Sequence, residues 1–230
     1  MARPDPNLPQ LLAIAEALGD LRNQVVFVGG SSAGLLLTDP LAESVRPTLD
    51  VDAVIQTDGL AHYYRIENQL ERCGFVRDVA GGVVCRWQHR NSQVMFDLMP
   101  VDASILGFSN RWYGEAVATA QPYLLSNGLQ IRLVSAPAFV ATKLEAFTDR
   151  GRGDFLASHD LEDVLNVIDG RPELPEEIAH ASLPMQQAIT ACFSRLLANS
   201  DFLNCLPGLL ADPDRADILI ERLRHLAAPR

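Results

Sequence analysis

Asp50 and Asp52 stand either side of one valine in the run Leu49-Asp50-Val51-Asp52-Ala53-Val54-Ile55. On an extended strand alternate side chains share a face, so the two carboxylates project together. Like charges held that close disfavour each other's ionisation, and a divalent cation between them removes the conflict. Mg2+, or Mn2+ in its place, suits such hard oxygen ligands, which it shares with substrate phosphates. Two harmless acids on a solvent-facing strand would show the same spacing. Asp97 adds a second signal, because it sits in Val94-Met95-Phe96-Asp97-Leu98-Met99, apolar on both faces of the predicted strand. An ionised carboxylate there costs on the order of several kcal/mol without compensation. A metal shared with Asp50 and Asp52 would compensate it; so would an arginine partner or a loop cap. In the metal-binding case, three carboxylates can organise two ions about 4 Å apart, one activating an attacking oxygen and one holding a leaving phosphate.

Gly29-Gly30-Ser31-Ser32 follows an apolar run and precedes a predicted helix. Glycines let backbone approach a phosphate, and a helix N-terminus attracts one. The segment has neither the Lys of a Walker A loop nor a Gly-x-Gly-x-x-Gly spacing, and a plain strand–turn–helix would look the same. Arg46 could reach a phosphate or form a surface ion pair. Lys143 falls inside the apolar arc drawn by Phe139, Val140, Leu144 and Phe147 at about 100° per residue. A lysine on a buried stripe needs an anion or a route to solvent. Asp160 lies at the edge of the stripe formed by Leu161, Val164, Leu165 and Ile168. Asp163 lies further out, where a solvated face is the plain expectation.

The elements that must position these residues are legible from periodicity. Leu8 to Leu21 has helical spacing, and Val25-Val26-Phe27-Val28 suits a buried strand. A capped helix is predicted over Ala33 to Leu37, a strand over Leu49 to Ile55, and a helix over Leu60 to Cys73, stopped by Gly74. Strands over Gly82 to Gln88 and Ser92 to Val101 would meet at the turn His89-Arg90-Asn91. Asn127-Gly128 predicts another hairpin. Helices follow over Ala138 to Thr148 and His159 to Ile168, joined through Gly151-Arg152-Gly153, with more helix over Glu176 to Ala228. The sum is α+β: a mixed-sheet lobe with flanking helices over 1–135, then a helical C-terminal lobe over 136–230.

About half of the 230 residues are apolar, enough for a sizeable core. Acidic residues outnumber basic ones 29 to 19, a net charge of −10, the wrong sign for general phosphate attraction, so nucleic acid would need a local basic patch. The four scattered cysteines offer no zinc or disulfide spacing. No signal peptide or membrane span is legible, and a cytoplasmic protein without a membrane partner is expected.

Taken in order, four segments resemble the polymerase-β-like nucleotidyltransferase superfamily, in its AbiEii/AbiGii toxin-like branch. They are Val28-Gly29-Gly30-Ser31-Ser32-Ala33, Arg46-Pro47-Thr48-Leu49-Asp50-Val51-Asp52, Ala141-Thr142-Lys143-Leu144-Glu145-Ala146 and His159-Asp160-Leu161-Glu162-Asp163-Val164. The resemblance implies a polymerase-β-like mixed sheet and transfer from an NTP co-substrate. It implies that Ser31 with the neighbouring backbone of Gly29, Gly30 and Ser32 holds the triphosphate and that Asp50 and Asp52 bind metal, with Asp97 as third carboxylate. It implies that Lys143 contacts phosphates and that Asp160 and Asp163 complete the site from the helical lobe. Family members often place Arg or Lys where this chain has His159.

The branch's toxin associations make tRNA the leading acceptor and a cognate antitoxin protein a possible partner. A small molecule or a protein as acceptor fits the acidic balance better. A non-catalytic antitoxin or scaffold is the third reading, against which the intact Asp-x-Asp counts.

Overall fold

Pro6–Ser32 and Pro47–Ser135 build a sheet unit, and Met1–Asp5, Ala33–Arg46 and Ala136–Arg230 build a helical one. The computed structural model describes residues 5–42, 45–79, 81–150, 154–210 and 212–228. The Gly151-Arg152-Gly153 link lies outside the described residues.

The sheet unit opens with α1 (Leu8–Ala17), which buries Leu11, Ile14 and Ala15. It stops short of Leu21 because Gly19 turns to φ +52°, and a 3-10 turn over Gly19–Asn23 follows. β1 (Val25–Val28) is apolar and buried throughout. After β2 (Asp50–Ile55) and α2 (Leu60–Arg72) come β3 (Phe75–Arg77), β4 (Arg86–His89) and β5 (Met95–Pro100). Short helices α3 (Ala103–Leu106) and α4 (Tyr113–Ala118) lead to the hairpin β6 (Gln121–Leu124) and β7 (Gln130–Leu133), whose Gly128 sits at φ +82°. The strands form one mixed seven-stranded sheet in the order β3-β4-β5-β2-β1-β7-β6, so the α+β class expected from the sequence is the one observed. Its core packs Phe27, Phe75, Trp87, Phe96 and Tyr63, all nearly solvent-free. Each such burial is worth about 1.5–3 kcal/mol.

Three predictions about local structure need correcting. Ala33 to Leu37 is not an α-helix: a 3-10 helix runs over Gly30–Leu36. Two glycines and two serines in seven residues are poor α-formers, and a Cβ at Gly34 would collide with the Asp5 carboxylate. The strands predicted over Gly82 to Gln88 and Ser92 to Val101 are shorter, and the connection between them reaches to Val94. There His89 N–H donates to the Val94 carbonyl at 3.0 Å, and Gln93 adopts φ +59°. The three-residue edge strand β3 lies where no strand was predicted.

The helical unit contains α5 (Ala136–Arg150), α6 (His159–Gly170), α7 (Leu174–Ala179), α8 (Leu183–Leu197), α9 (Ser200–Cys205) and α10 (Ala216–Ala227). Ser158 and Ser182 cap α6 and α8 by accepting hydrogen bonds from the Leu161 and Met185 amides. The segment from Ala33 to Arg46 belongs to this unit. The amides of Thr38 and Asp39 both donate to the Gly170 carbonyl at 3.0 Å, and a Cβ at Gly170 would meet Leu37 Cδ2 at 2.7 Å. Among the described residues no helix is long and apolar enough to cross a membrane.

Candidate active site

The register of three neighbouring strands builds the acidic face. Asp52 on β2 lies opposite Asp97 on the parallel strand β5, and Asp97 lies opposite Arg86 on the antiparallel strand β4. Asp50, two residues before Asp52, shares its face. The Arg86 guanidinium donates twice to Asp97, Nε to Oδ1 at 2.8 Å and Nη2 to Oδ2 at 2.7 Å. The same Nη2 reaches Asp50 Oδ2 at 2.7 Å. This fork on Asp97 has the planar geometry that makes Arg–carboxylate bonds strong. Arg86 is held firmly protonated, first by its hydrogen bond to Asp97 and then by the charges of Asp97, Asp50 and Asp52.

The acid side chains are further oriented from behind. Thr48 Oγ1 donates to Asp50 Oδ1 at 2.8 Å, while the Thr48 amide donates to Asn7 Oδ1 at 2.8 Å. Gln10 Nε2 donates to the Thr48 carbonyl at 2.9 Å, so the start of α1 fixes the residue that fixes Asp50. Val28 lies opposite Asp52, and Gly29 follows at φ +70°. Any Cβ at Gly29 would collide with the Asp52 carboxylate. Gly29 is thus required twice, for its backbone conformation and for the space Asp52 fills. The buried Cys85 thiol is pushed up to about 12, by burial foremost and then by the charges of Asp97 and Asp52.

The rest of the glycine turn differs from a phosphate cradle at an α-helix end. Ser32 Oγ and the Ser32 amide both point at the Gly29 carbonyl, at 2.8 and 3.2 Å, which closes the turn on itself. Gly30 begins the 3-10 helix. Ser31 Oγ is fully buried and has no hydrogen-bond partner, a cost of about 1–3 kcal/mol. That orphaned hydroxyl is the part of the turn still lacking an acceptor or donor.

The remaining expected residues gather inside the helical unit. Lys143 Nζ on α5 meets Asp160 Oδ1 at 3.0 Å and Asp163 Oδ2 at 2.7 Å on α6. Arg46 Nε lies 3.0 Å from Asp163 Oδ1, and the exposed Arg150 reaches Asp160 Oδ2 at 2.9 Å. The anion that a buried-stripe lysine demanded is therefore this aspartate pair. Helical spacing had set Asp160 nearer the core than Asp163; the structure reverses them, with Asp163 side chain at 1% exposure and Asp160 at 15%. Two cations converging on Asp163 permit a charge on the buried side of α6. His159 is exposed, 3.5 Å from Glu162.

Among the described residues, Arg86 bridges Asp50 and Asp97, and Asp52 stands opposite Asp97 on the same face. Hard carboxylate oxygens grouped in this way suit a divalent cation. As the side chains stand, no group of three His, Cys, Asp or Glu among the described residues is arranged to hold a metal ion. Arg86 bonds both Asp97 oxygens and one Asp50 oxygen. Sequence reasoning passed over Arg86 and the positioning of Asp50 by Thr48. The signal for Arg86 was the demand of a buried Asp97 for a cation.

No protein-family model matches the chain, and no curated protein matches its sequence. Solved structures do resemble it. An antigenic nucleotidyltransferase-like protein from Paracoccidioides brasiliensis superposes with a TM-score of 0.54 at 20% identity, covering 86% of this chain and 92% of that one. JHP933 from Helicobacter pylori gives a TM-score of 0.46 at 12% identity, covering 95% and 89%. At such identities the likeness to the first is one of fold. The chain has a nucleotidyltransferase-like fold.

Proposed function

We propose that this chain is a metal-dependent nucleotidyltransferase that moves a nucleotide from an NTP to an acceptor. The observation that carries the reading is the alignment of Asp50, Asp52 and Asp97 on one face of two in-register strands, beside a glycine turn, in a fold of this class. Asp50, Asp52 and Asp97 would hold Mg2+ or Mn2+, which supplies charge neutralisation at the transferred phosphate. Asp97, the most buried of the three, would help activate the acceptor hydroxyl. Thr48 holds Asp50 in its rotamer, and Gly29 leaves room for Asp52. Ser31 supplies a hydroxyl that lacks a partner in the resting chain.

The resemblance of the Arg46–Asp52 and His159–Val164 segments to the AbiEii/AbiGii branch supports a finer reading, a toxin of a toxin–antitoxin pair with tRNA as acceptor. The net charge of −10 favours a small molecule or partner protein as the alternative acceptor. Purified protein incubated with Mg2+ and each labelled NTP should transfer label to total cellular RNA, protein or a metabolite fraction, and Asp52→Ala should abolish it. No labelling in any fraction contradicts the proposal and favours a non-catalytic scaffold.

A further inference from the structure

Arg86 is charged, side-chain exposure 25%, and bonded to the two carboxylates most engaged by the site. Its three short bonds take one acceptor site on each Asp97 oxygen and one on Asp50, while Thr48 Oγ1 donates to the other Asp50 oxygen. A divalent ion drawing on Asp50 and Asp97 meets the guanidinium's positive charge at those same oxygens. Cation and guanidinium therefore compete for one set of oxygens. We propose that Arg86 is a resident counter-cation that clasps Asp50 and Asp97 while no metal is bound and must swing off them when a divalent ion enters. The inference rests on the metal-dependent reading above and adds a residue with a defined part in it.

The exchange has a second consequence. A guanidinium that loses two carboxylates in a partly buried place needs another anion. The anion that arrives with the ion is the polyphosphate of the NTP, and guanidinium binds phosphate through the same fork it offers carboxylate. Arg86 is thus a positioning residue in the resting chain and a hydrogen-bond donor to phosphate after exchange. Ion and nucleotide would then bind with positive coupling: the ion frees the arginine, and the arginine rewards the nucleotide.

Mn2+ binding to the full chain, followed by the loss of the free-ion electron paramagnetic resonance signal, reads this out without turnover. Relative to wild type, Arg86→Gln should bind Mn2+ alone at least about tenfold tighter, because the competing charge is gone. It should also lose most of the tightening that a non-hydrolysable NTP analogue produces in wild type. Arg86→Lys, charged but without the fork, should fall between them. In unmodified protein, the Arg86 Nε–H resonance in a proton–nitrogen correlation spectrum should shift on Mg2+ addition; this resonance guards against a glutamine variant that does not fold. Equal or weaker Mn2+ binding by Arg86→Gln and Arg86→Lys, with binding still lost in Asp52→Asn, overturns the clasp while leaving the metal reading intact. Absence of Mn2+ binding in wild type and in both Arg86 variants overturns both.

Discussion

The two ion clusters of this protein are built from the same residue types to opposite ends. On the sheet, Arg86 bridges Asp50 and Asp97, and Asp52 shares their face. In the helical unit two aspartates meet Lys143, Arg46 and Arg150. The first arrangement is poor for stability, because nearby like charges repel and a buried acid needs full compensation. The second satisfies its buried acid from two sides. Under the proposed function, acids grouped on a sheet face next to a glycine turn would serve to receive a cation. The helical cluster is the kind of network whose value lies in holding α5, α6 and the segment ending at Arg46 together.

The comparison breaks most visibly at Asp163. Asp163→Ala removes the buried acid on which Lys143 and Arg46 converge and should cost about 3–5 kcal/mol, measured as a lowered urea midpoint. A loss under about 1 kcal/mol would show that the helical cluster is not structural. On the sheet, Gly29→Ala should cost about 1–3 kcal/mol, from the left-handed backbone and from pushing Asp52 aside. Its Mn2+ binding should fall with it, whereas normal Mn2+ affinity would mean Asp52 is not a ligand. Asp52→Asn should act with the opposite sign to Asp163→Ala. By relieving repulsion it should leave the metal-free protein unchanged or more stable by up to about 1 kcal/mol, while NTP labelling disappears. A clear destabilisation would place Asp52 among the structural acids.

The smallest effect concerns pH. Cys85 ionises at about 12 in the folded chain against 9.0 ordinarily, through burial first and then the charges of Asp97 and Asp52. A raised folded value means that the unfolded chain loses this proton first as the pH climbs. The resulting penalty is absent below pH 9 and grows between about pH 9 and 12. Cys85→Ala should flatten that alkaline slope; an unchanged slope would assign it to other groups, such as Tyr63, also raised to about 12 by burial.

Much of this site was legible because strands impose strict alternation. The period of two put Asp50 and Asp52 on one face, and the apolar surroundings of Asp97 announced a charge in need of a partner. Arg86 was hidden by hairpin register. A turn centred on Arg90 sets Asp97 opposite Val83, whereas the longer connection through Val94 sets it opposite Arg86. One misjudged turn therefore concealed the cation that the buried acid demanded. The α-helix expected after Gly29-Gly30 failed for a different reason. Ser32 folds back on the Gly29 carbonyl, and the chain tightens into a 3-10 helix. The burial of Asp163 was missed because a helical wheel ranks positions by apolar neighbours and cannot see two cations arriving from α5 and from Arg46.

Diffraction from crystals grown with Mn2+ and a non-hydrolysable NTP, recorded for the anomalous signal of manganese, tests the acidic face most directly. The account predicts a manganese peak bound by Asp50 and Asp52 with Asp97 close by, and an Arg86 guanidinium turned from the carboxylates towards phosphate. A map without manganese at these aspartates, with Arg86 still bridging Asp50 and Asp97, would contradict it.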